Sequence, residues 1–232
     1  MENAITVSVI TAVRNRTDRL QANISTWLDD YGIDEVVVVD WGSDTPIKLE
    51  WPRTVVVRAE ATIWNWETAL NLAAKVAYGN VLLQLDVDYC LYGDFVAAHI
   101  QSVEAGKSFV AGYSGEARND NERHLSGLLM VSRPDFEVVG GYNENLMGYG
   151  YGDQDITKRL RIAGLTRHSF DYNKVEHIAH GDKMRMTDCR NETCEQSIRR
   201  NKWRARRWPW NADCKKWCDQ NMGQVTIVGE ER

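Results

Sequence analysis

Apolar positions in the first half of the chain fall into two alternating kinds of run. Residues 5–13 (ITVSVITAV), 35–40 (EVVVVD), 54–59 (TVVVRA) and 81–85 (VLLQL) are nearly unbroken apolar or β-branched stretches of strand length. Between them the spacing changes. In 17–31, Leu20, Ile24, Trp27 and Leu28 share one helical face, with Thr17 placed as an N-cap. Residues 66–79 read as a helix ended by Gly79, and 94–106 as a helix opened by Asp94 and closed by Gly106. Strands that are apolar throughout, alternating with helices, predict a parallel α/β sheet covered on both faces. The second half is less regular. Residues 126–132 predict a strand and 133–141 a short helix, and a glycine–tyrosine loop at 147–155 leads into a helix at 156–164. No repeat, low-complexity stretch or Pro/Gly/Ser linker divides the chain. One domain over 1–188 is expected, with a first half over about 1–90 and a second over about 91–188, followed by a helical, basic, Trp-rich extension over 189–232.

Composition adds bounds. With 232 residues, 43% of them hydrophobic, the chain can bury one sizeable core. Its apolar runs, such as VVVV at 36–39, fall far short of the ~20 residues of a membrane span. The N-terminus lacks the charged-then-apolar layout of a signal peptide, so a cytoplasmic setting is expected. Net charge is −5, but residues 199–207 hold six of the 28 basic residues, leaving 22 basic against 33 acidic elsewhere. An acidic body with one basic patch does not predict a nucleic-acid binder. The patch lies in 197–210 (SIRRNKWRARRWPW), which reads as an amphipathic basic helix. Such a helix can meet an anionic membrane. The favoured reading is a solvated helix pinned to the body by Trp203 and Trp208. Five cysteines in a reducing setting predict free thiols, although Cys189, Cys194, Cys214 and Cys218 have spacings a structural zinc could use.

The chemistry gathers at strand ends. Ligands of open parallel sheets bind at the carboxyl ends of the strands, and Asp40, Arg58, Asp86 and Asp88 all follow such ends. Side chains two apart on an extended chain point the same way, so Asp86 and Asp88 are expected to share a cavity. Two carboxylates so close call for a cation. His177 and His180, three apart in HIAH, could reach the same ion, and mixed oxygen and imidazole ligation favours manganese, with magnesium as the alternative.

Taken in order, the stretches VITAVRNR, VVVVDWGS, WNWETALNLA, LDVD, GYGYGDQDI and HIAH resemble the GT-A nucleotide-sugar glycosyltransferases, and within them the β-1,4-galactosyltransferase group and the large inverting family. The resemblance covers roughly residues 5–183. It implies a Rossmann-like, mostly parallel sheet and a UDP-sugar donor. By position, Arg14 and Arg16 match arginines at the diphosphate, and Asp40 and Arg58 match residues at the nucleoside. Asp86 matches a ribose- or sugar-facing acid, and Asp88 the direct metal ligand. His180 matches the metal-binding histidine, and His177 stands where the galactosyltransferases place a methionine ligand. Trp64 and Asn65 fall near the donor. In the loop, Asp153 matches the catalytic base, Tyr149 the acceptor-contacting tryptophan, and Asp155 a retained acid of the acceptor site. Gly152 replaces the family's glutamate, which puts its acceptor contacts in doubt.

The reaction so implied is metal-dependent, inverting transfer of a hexose or N-acetylhexosamine from a UDP-sugar to a saccharide or glycoconjugate hydroxyl, with Asp153 taking the proton. The alternatives are a retaining transferase resembling the polypeptide N-acetylgalactosaminyltransferases and a non-catalytic nucleotide-sugar binder. A nucleotidyltransferase would need a glycine-rich phosphate loop, which TAVRNR lacks.

Overall fold

The computed structural model describes residues 4–48, 50–179, 192–207, 218 and 223–231. Four of the expected strands form its centre. β1 (Val7–Val13) pairs in parallel with β2 (Glu35–Trp41) and with β4 (Val81–Gln84), and β2 pairs in parallel with β3 (Thr54–Ala59). The run Val36–Val39 is wholly buried because each face of the sheet has its own core. Val36 and Val38 pack with Leu20, Ile24 and Trp27 of α1 (Thr17–Leu28). Val37 and Val39 pack with Ala69, Leu70 and Ala73 of α2 (Trp66–Val76).

The rest of the sheet is mixed. β7 (Leu129–Ser132) runs antiparallel beside β4, β6 (Ser108–Ala111) antiparallel beside β7, and β8 (Thr166–His168) parallel beside β6. A small second sheet pairs β5 (Tyr89–Leu91) antiparallel with β9 (Val175–His177). The remaining helices are α3 (Phe95–His99), α4 (Arg133–Val138), α5 (Gly152–Ile162) and α6 (Cys194–Ala205).

Several expectations are corrected. α1 stops at Leu28, whose carbonyl accepts from Arg53, and Thr17 is its first helical residue while Arg16 is the N-cap. α2 stops at Val76, and Arg133 takes the carbonyls of Ala74, Ala77 and Gly79 that follow its last turns. The helix expected over 94–106 shortens to α3 and one 3-10 turn, Ile100–Ser102. α5 begins four residues early, at Gly152. The extension is not helical throughout. Its end forms β10 (Val225–Glu231), antiparallel to β3 on the sheet edge. A sequence run that alternates weakly and carries two glutamates gave no strand signal by itself; pairing with a preformed edge decides it.

Candidate active site

The carboxyl ends of β1 and β4 open into a cleft of about 660 Å³. Arg14 and Arg16 reach it from the loop after β1, Asp86 and Asp88 from the turn after β4, and the loop 148–152 closes the opposite wall. The two aspartates are not aligned by strand pleat, as the sequence suggested. β4 ends at Gln84, and residues 86–89 form a turn in which Tyr89 N–H donates to the Asp86 carbonyl at 2.9 Å. The turn still leaves both carboxylates on the cleft, close enough that the Asp88 charge acts on Asp86.

Asp88 sits beside basic side chains. It is buried, and Arg16 Nη1 contacts its Oδ2 at 3.1 Å with Arg19 Nε 3.9 Å from Oδ1. His177 arrives through strand pairing: Tyr89, next to Asp88, is the register partner of His177, and Ile178 N–H donates to the Asp88 carbonyl at 2.7 Å. Asn121 Oδ1 lies 2.8 Å from His177 Nδ1, which orients the ring, and the His124 ring is 4.8 Å away. One carboxylate and one imidazole beside the arginines form a donor pair suited to manganese. The third expected ligand, His180, lies outside the described residues. Among the described residues no three His, Cys, Asp or Glu side chains are grouped to hold an ion.

Asp86 and Asp153 form an acidic pair. Trp66 Nε1 and Gln84 Nε2 donate to Asp86 Oδ1 at 3.3 and 2.9 Å. Asp86 Oδ2 and Asp153 Oδ1 both face Gly127, where a β-carbon would lie 3.3 and 3.6 Å from them. Burial, then the neighbouring Asp88 charge, pushes Asp86 up to about 6. Burial, then the Asp86 charge, pushes Asp153 up to about 8. Both carboxyls stay partly open to the cleft. Asp153 is the second residue of α5, and Tyr151 just before it holds a left-handed φ of 81°. A non-glycine residue in that region stores strain of order 1–3 kcal/mol, and here it turns the loop into the helix that presents Asp153.

Four expected site residues are not brought to the cleft. Asp40 is fully buried, and its oxygens are taken by Arg58 Nη1 at 2.7 Å and the backbone N–H groups of Ser43 and Ile47. Asp40 and Arg58 therefore fix the loop after β2. Asn65 caps α2 by accepting from Thr68 N–H, and its amide donates to the Glu144 and Leu146 carbonyls. Asp155 is buried in an ion pair with Arg159, whose Nη2 lies 2.8 Å away. Trp64 and Tyr149 do line the cleft.

The basic helix takes a place the sequence did not suggest. α6 packs on the glycine–tyrosine loop. Asn201 accepts from Met147 N–H and donates to the Met147 and Gly150 carbonyls, and Ser197 Oγ accepts from Tyr149 N–H at 3.0 Å. Ser197 and Asn201 are fully buried. Trp203, expected as an anchor, is half exposed and stacks against Arg207, while Trp208 lies outside the described residues. Ile198 and Lys202 of this helix line the cleft, as do Glu67 and His124. None of these four carried a motif; adjacency to the loop is a tertiary fact. Of the four spaced cysteines, Cys189 and Cys214 lie outside the described residues. Cys194 is partly exposed, and Cys218 is buried with its thiol facing the Thr68 carbonyl at 3.7 Å.

Comparison with known structures gives the architecture a name. The catalytic domain of Drosophila β1,4-galactosyltransferase 7, in a complex with xylobiose, superposes with a TM-score of 0.62, covering 91% of this chain and 84% of that one at 16% identity. The fold is GT-A. A mutant of the same enzyme in complex with manganese, UDP-Gal and xylobiose gives a TM-score of 0.60 over the same coverage, also at 16% identity. The Pyrobaculum calidifontis mannosyltransferase PcManGT, in complex with GDP-Man and Mn2+, gives 0.57 at 16% identity, covering 72% of this chain and 55% of that one. Residues 107–181, the stretch from β6 through β9 of this GT-A fold, match the family model described as the N-terminal domain of galactosyltransferase. A curated relative, the uncharacterized protein y4gI of Sinorhizobium fredii (strain NBRC 101917 / NGR234), is 26% identical over 213 residues, covering 71% of the chain. The chain spans 23% of that protein's length.

Proposed function

We propose that this chain is a manganese-dependent inverting glycosyltransferase that moves a hexose or N-acetylhexosamine from a UDP-sugar to a hydroxyl of a saccharide or glycoconjugate, with Asp153 as general base. One observation carries the reading: Asp88 with its Arg16 partner, His177 and Asp153 all line one cleft. The comparisons support it, since solved neighbours of this fold carry UDP-Gal or GDP-Man with manganese.

The residues divide the work. Arg14 and Arg16 are placed for the diphosphate, where guanidinium–phosphate pairing neutralises charge on the leaving group. Asp88 and His177, with His180 as expected third ligand, would hold manganese; when bound, the ion supplies Lewis-acid neutralisation of the diphosphate. Asp86, held by Trp66 and Gln84, faces the donor sugar. Asp153 accepts the acceptor hydroxyl proton as that oxygen attacks the anomeric carbon and the bond to UDP breaks. A carboxyl pushed up to about 8 is matched to that exchange near neutral pH. Trp66, Tyr149 and Tyr151 offer aromatic faces to sugar rings.

The test is a donor screen by UDP release over UDP-galactose, UDP-glucose, UDP-N-acetylglucosamine and UDP-N-acetylgalactosamine, with methyl glycosides and xylobiose as acceptors. Transfer with inverted anomeric configuration, read by NMR, is expected. A retained configuration would turn the assignment of Asp153 into an error, and no turnover of any donor would overturn the function.

A further inference from the structure

Glu67 is the buried group that the reaction just described leaves unused. It sits one residue after Trp66 in the first turn of α2, lines the cleft and is 3% exposed. Its Oε2 is buried with no hydrogen-bond partner among the described residues. An unsatisfied buried carboxyl oxygen costs of order 1–3 kcal/mol, so a group retained in that state at a cleft wall is suited to a ligand that satisfies it.

The location names the ligand. Glu67 Oε1 lies 2.7 Å from where a β-carbon on Gly152, the residue before Asp153, would stand, and the Trp66 ring lies 3.0 Å from the same point. The charges that act on Glu67 are those of Asp153, Asp155 and Glu144, a setting that repels a diphosphate. A hydroxyl is the complementary partner there. Burial, followed by the charges of Asp153, Asp155 and Glu144, pushes Glu67 up to about 8. Near neutral pH it is then a neutral acid that can donate from one oxygen and accept on the other, as a sugar hydroxyl also does.

Resting on the transferase reading above, we propose that Glu67 is an acceptor-binding residue that hydrogen-bonds a hydroxyl of the acceptor saccharide beside the one that Asp153 deprotonates. Its carboxyl occupies the room that a side chain at position 152 would need. Glycine at 152 and glutamate at 67 are therefore two halves of one arrangement. Gly152 has no positive φ and lies in a helical first turn, so its backbone tolerates a side chain and space alone excludes one.

The experiment uses the full chain with manganese and the donor and methyl-glycoside pair that the wild type turns over in the screen above. Glu67→Ala is expected to raise the acceptor KM about 3- to 10-fold, the value of a hydrogen bond between neutral groups, while the UDP dissociation constant by calorimetry stays within twofold. Gly152→Glu alone is expected to lower transfer, because its β-carbon meets Glu67. Glu67→Ala combined with Gly152→Glu is expected to recover acceptor affinity, since a carboxyl then enters the same space from the loop. An unchanged acceptor KM in Glu67→Ala overturns the proposal. A UDP dissociation constant that rises by the same factor as KM also overturns it, because Glu67 would then act on the donor or on the fold. A wild type that transfers no sugar removes the transferase reading first, whereas normal wild-type transfer with an indifferent Glu67 removes only this inference.

Discussion

The carboxyl of Asp153 is tuned by where it sits rather than by its own chemistry. Burial and the Asp86 charge push it up to about 8, whereas an exposed aspartate titrates near 4. Two predictions follow from the sign of that shift. As a base, Asp153 works only when ionised, so kcat/KM for the acceptor is expected to rise with pH through the region of 8 in the free enzyme. Asp153→Asn is expected to lower transfer about 10²- to 10⁴-fold with UDP binding retained; transfer near the wild-type rate would remove the base assignment. For stability, the folded chain binds the Asp153 proton more tightly than the unfolded chain. The wild type therefore loses stability from this group as pH rises from about 4 through about 8. Melting curves should show Asp153→Asn gaining on the wild type as pH rises through that window, and a constant difference would deny the burial effect. Cleft water reaching Asp153 keeps the size of that gain modest.

The element that matters most for the site is α6, because it holds the glycine–tyrosine loop in shape. Gly148 and Gly150 take φ of 73° and 86°, and Tyr151 takes 81°. Three left-handed residues in four make a loop that backbone preference alone would not keep. Asn201 makes three hydrogen bonds to that backbone while fully buried. Asn201→Ala is expected to destabilise the chain by about 1–3 kcal/mol, since it strands buried backbone groups. It should also raise the acceptor KM more than the UDP dissociation constant, because the loop wall carries Tyr149 and Tyr151. Equal changes in both would mean that the helix supports the whole cleft and not this wall. Gly150→Ala meets both the positive φ and Ile198 Cγ1, 2.7 Å from the added carbon, and should behave like Asn201→Ala.

At the scale of the whole molecule, both ends of the chain's length contribute to one body. β10 covers the edge of β3, so the stretch near the end is part of the main sheet. A chain cut after residue 222 exposes the β3 edge and is expected to aggregate or melt earlier, because unpaired edges template pairing with other chains. An unchanged melting temperature would show that β10 adds nothing to stability. The cleft joins residues from β1 to α6, and the proposed reaction depends on a divalent ion there. Chelation is expected to abolish transfer and manganese to restore it better than magnesium. Calorimetry that finds UDP bound equally tightly with and without manganese would remove Asp88 and His177 as ligands. No helix among the described residues is long and apolar enough to cross a membrane.

The sequence by itself determined the central sheet and the elements that bear on it. Runs such as Val36–Val39 are apolar on both faces, and such a run has no stable place except between two helical layers. Strand ends also placed Asp86 and Asp88 on one rim, together with Asp40 and Arg58, whereas Arg14, Arg16, Tyr149 and Asp153 were legible only through the resemblance of their motifs to the glycosyltransferases. Tertiary structure alone decided the rest. A turn, not a pleat, presents Asp86 and Asp88, and pairing of Tyr89 with His177 brought the imidazole to Asp88. Asp40, Arg58, Asn65 and Asp155 look as chemically able as their neighbours, yet local partners consumed their hydrogen-bonding capacity. Glu67 and α6 entered the site through contacts between residues far apart in the chain, as in the Glu67–Gly152 approach and the Tyr149–Ser197 hydrogen bond. Short-range periodicity carries no record of such contacts, since it reports which face of an element is buried and not what that face will meet.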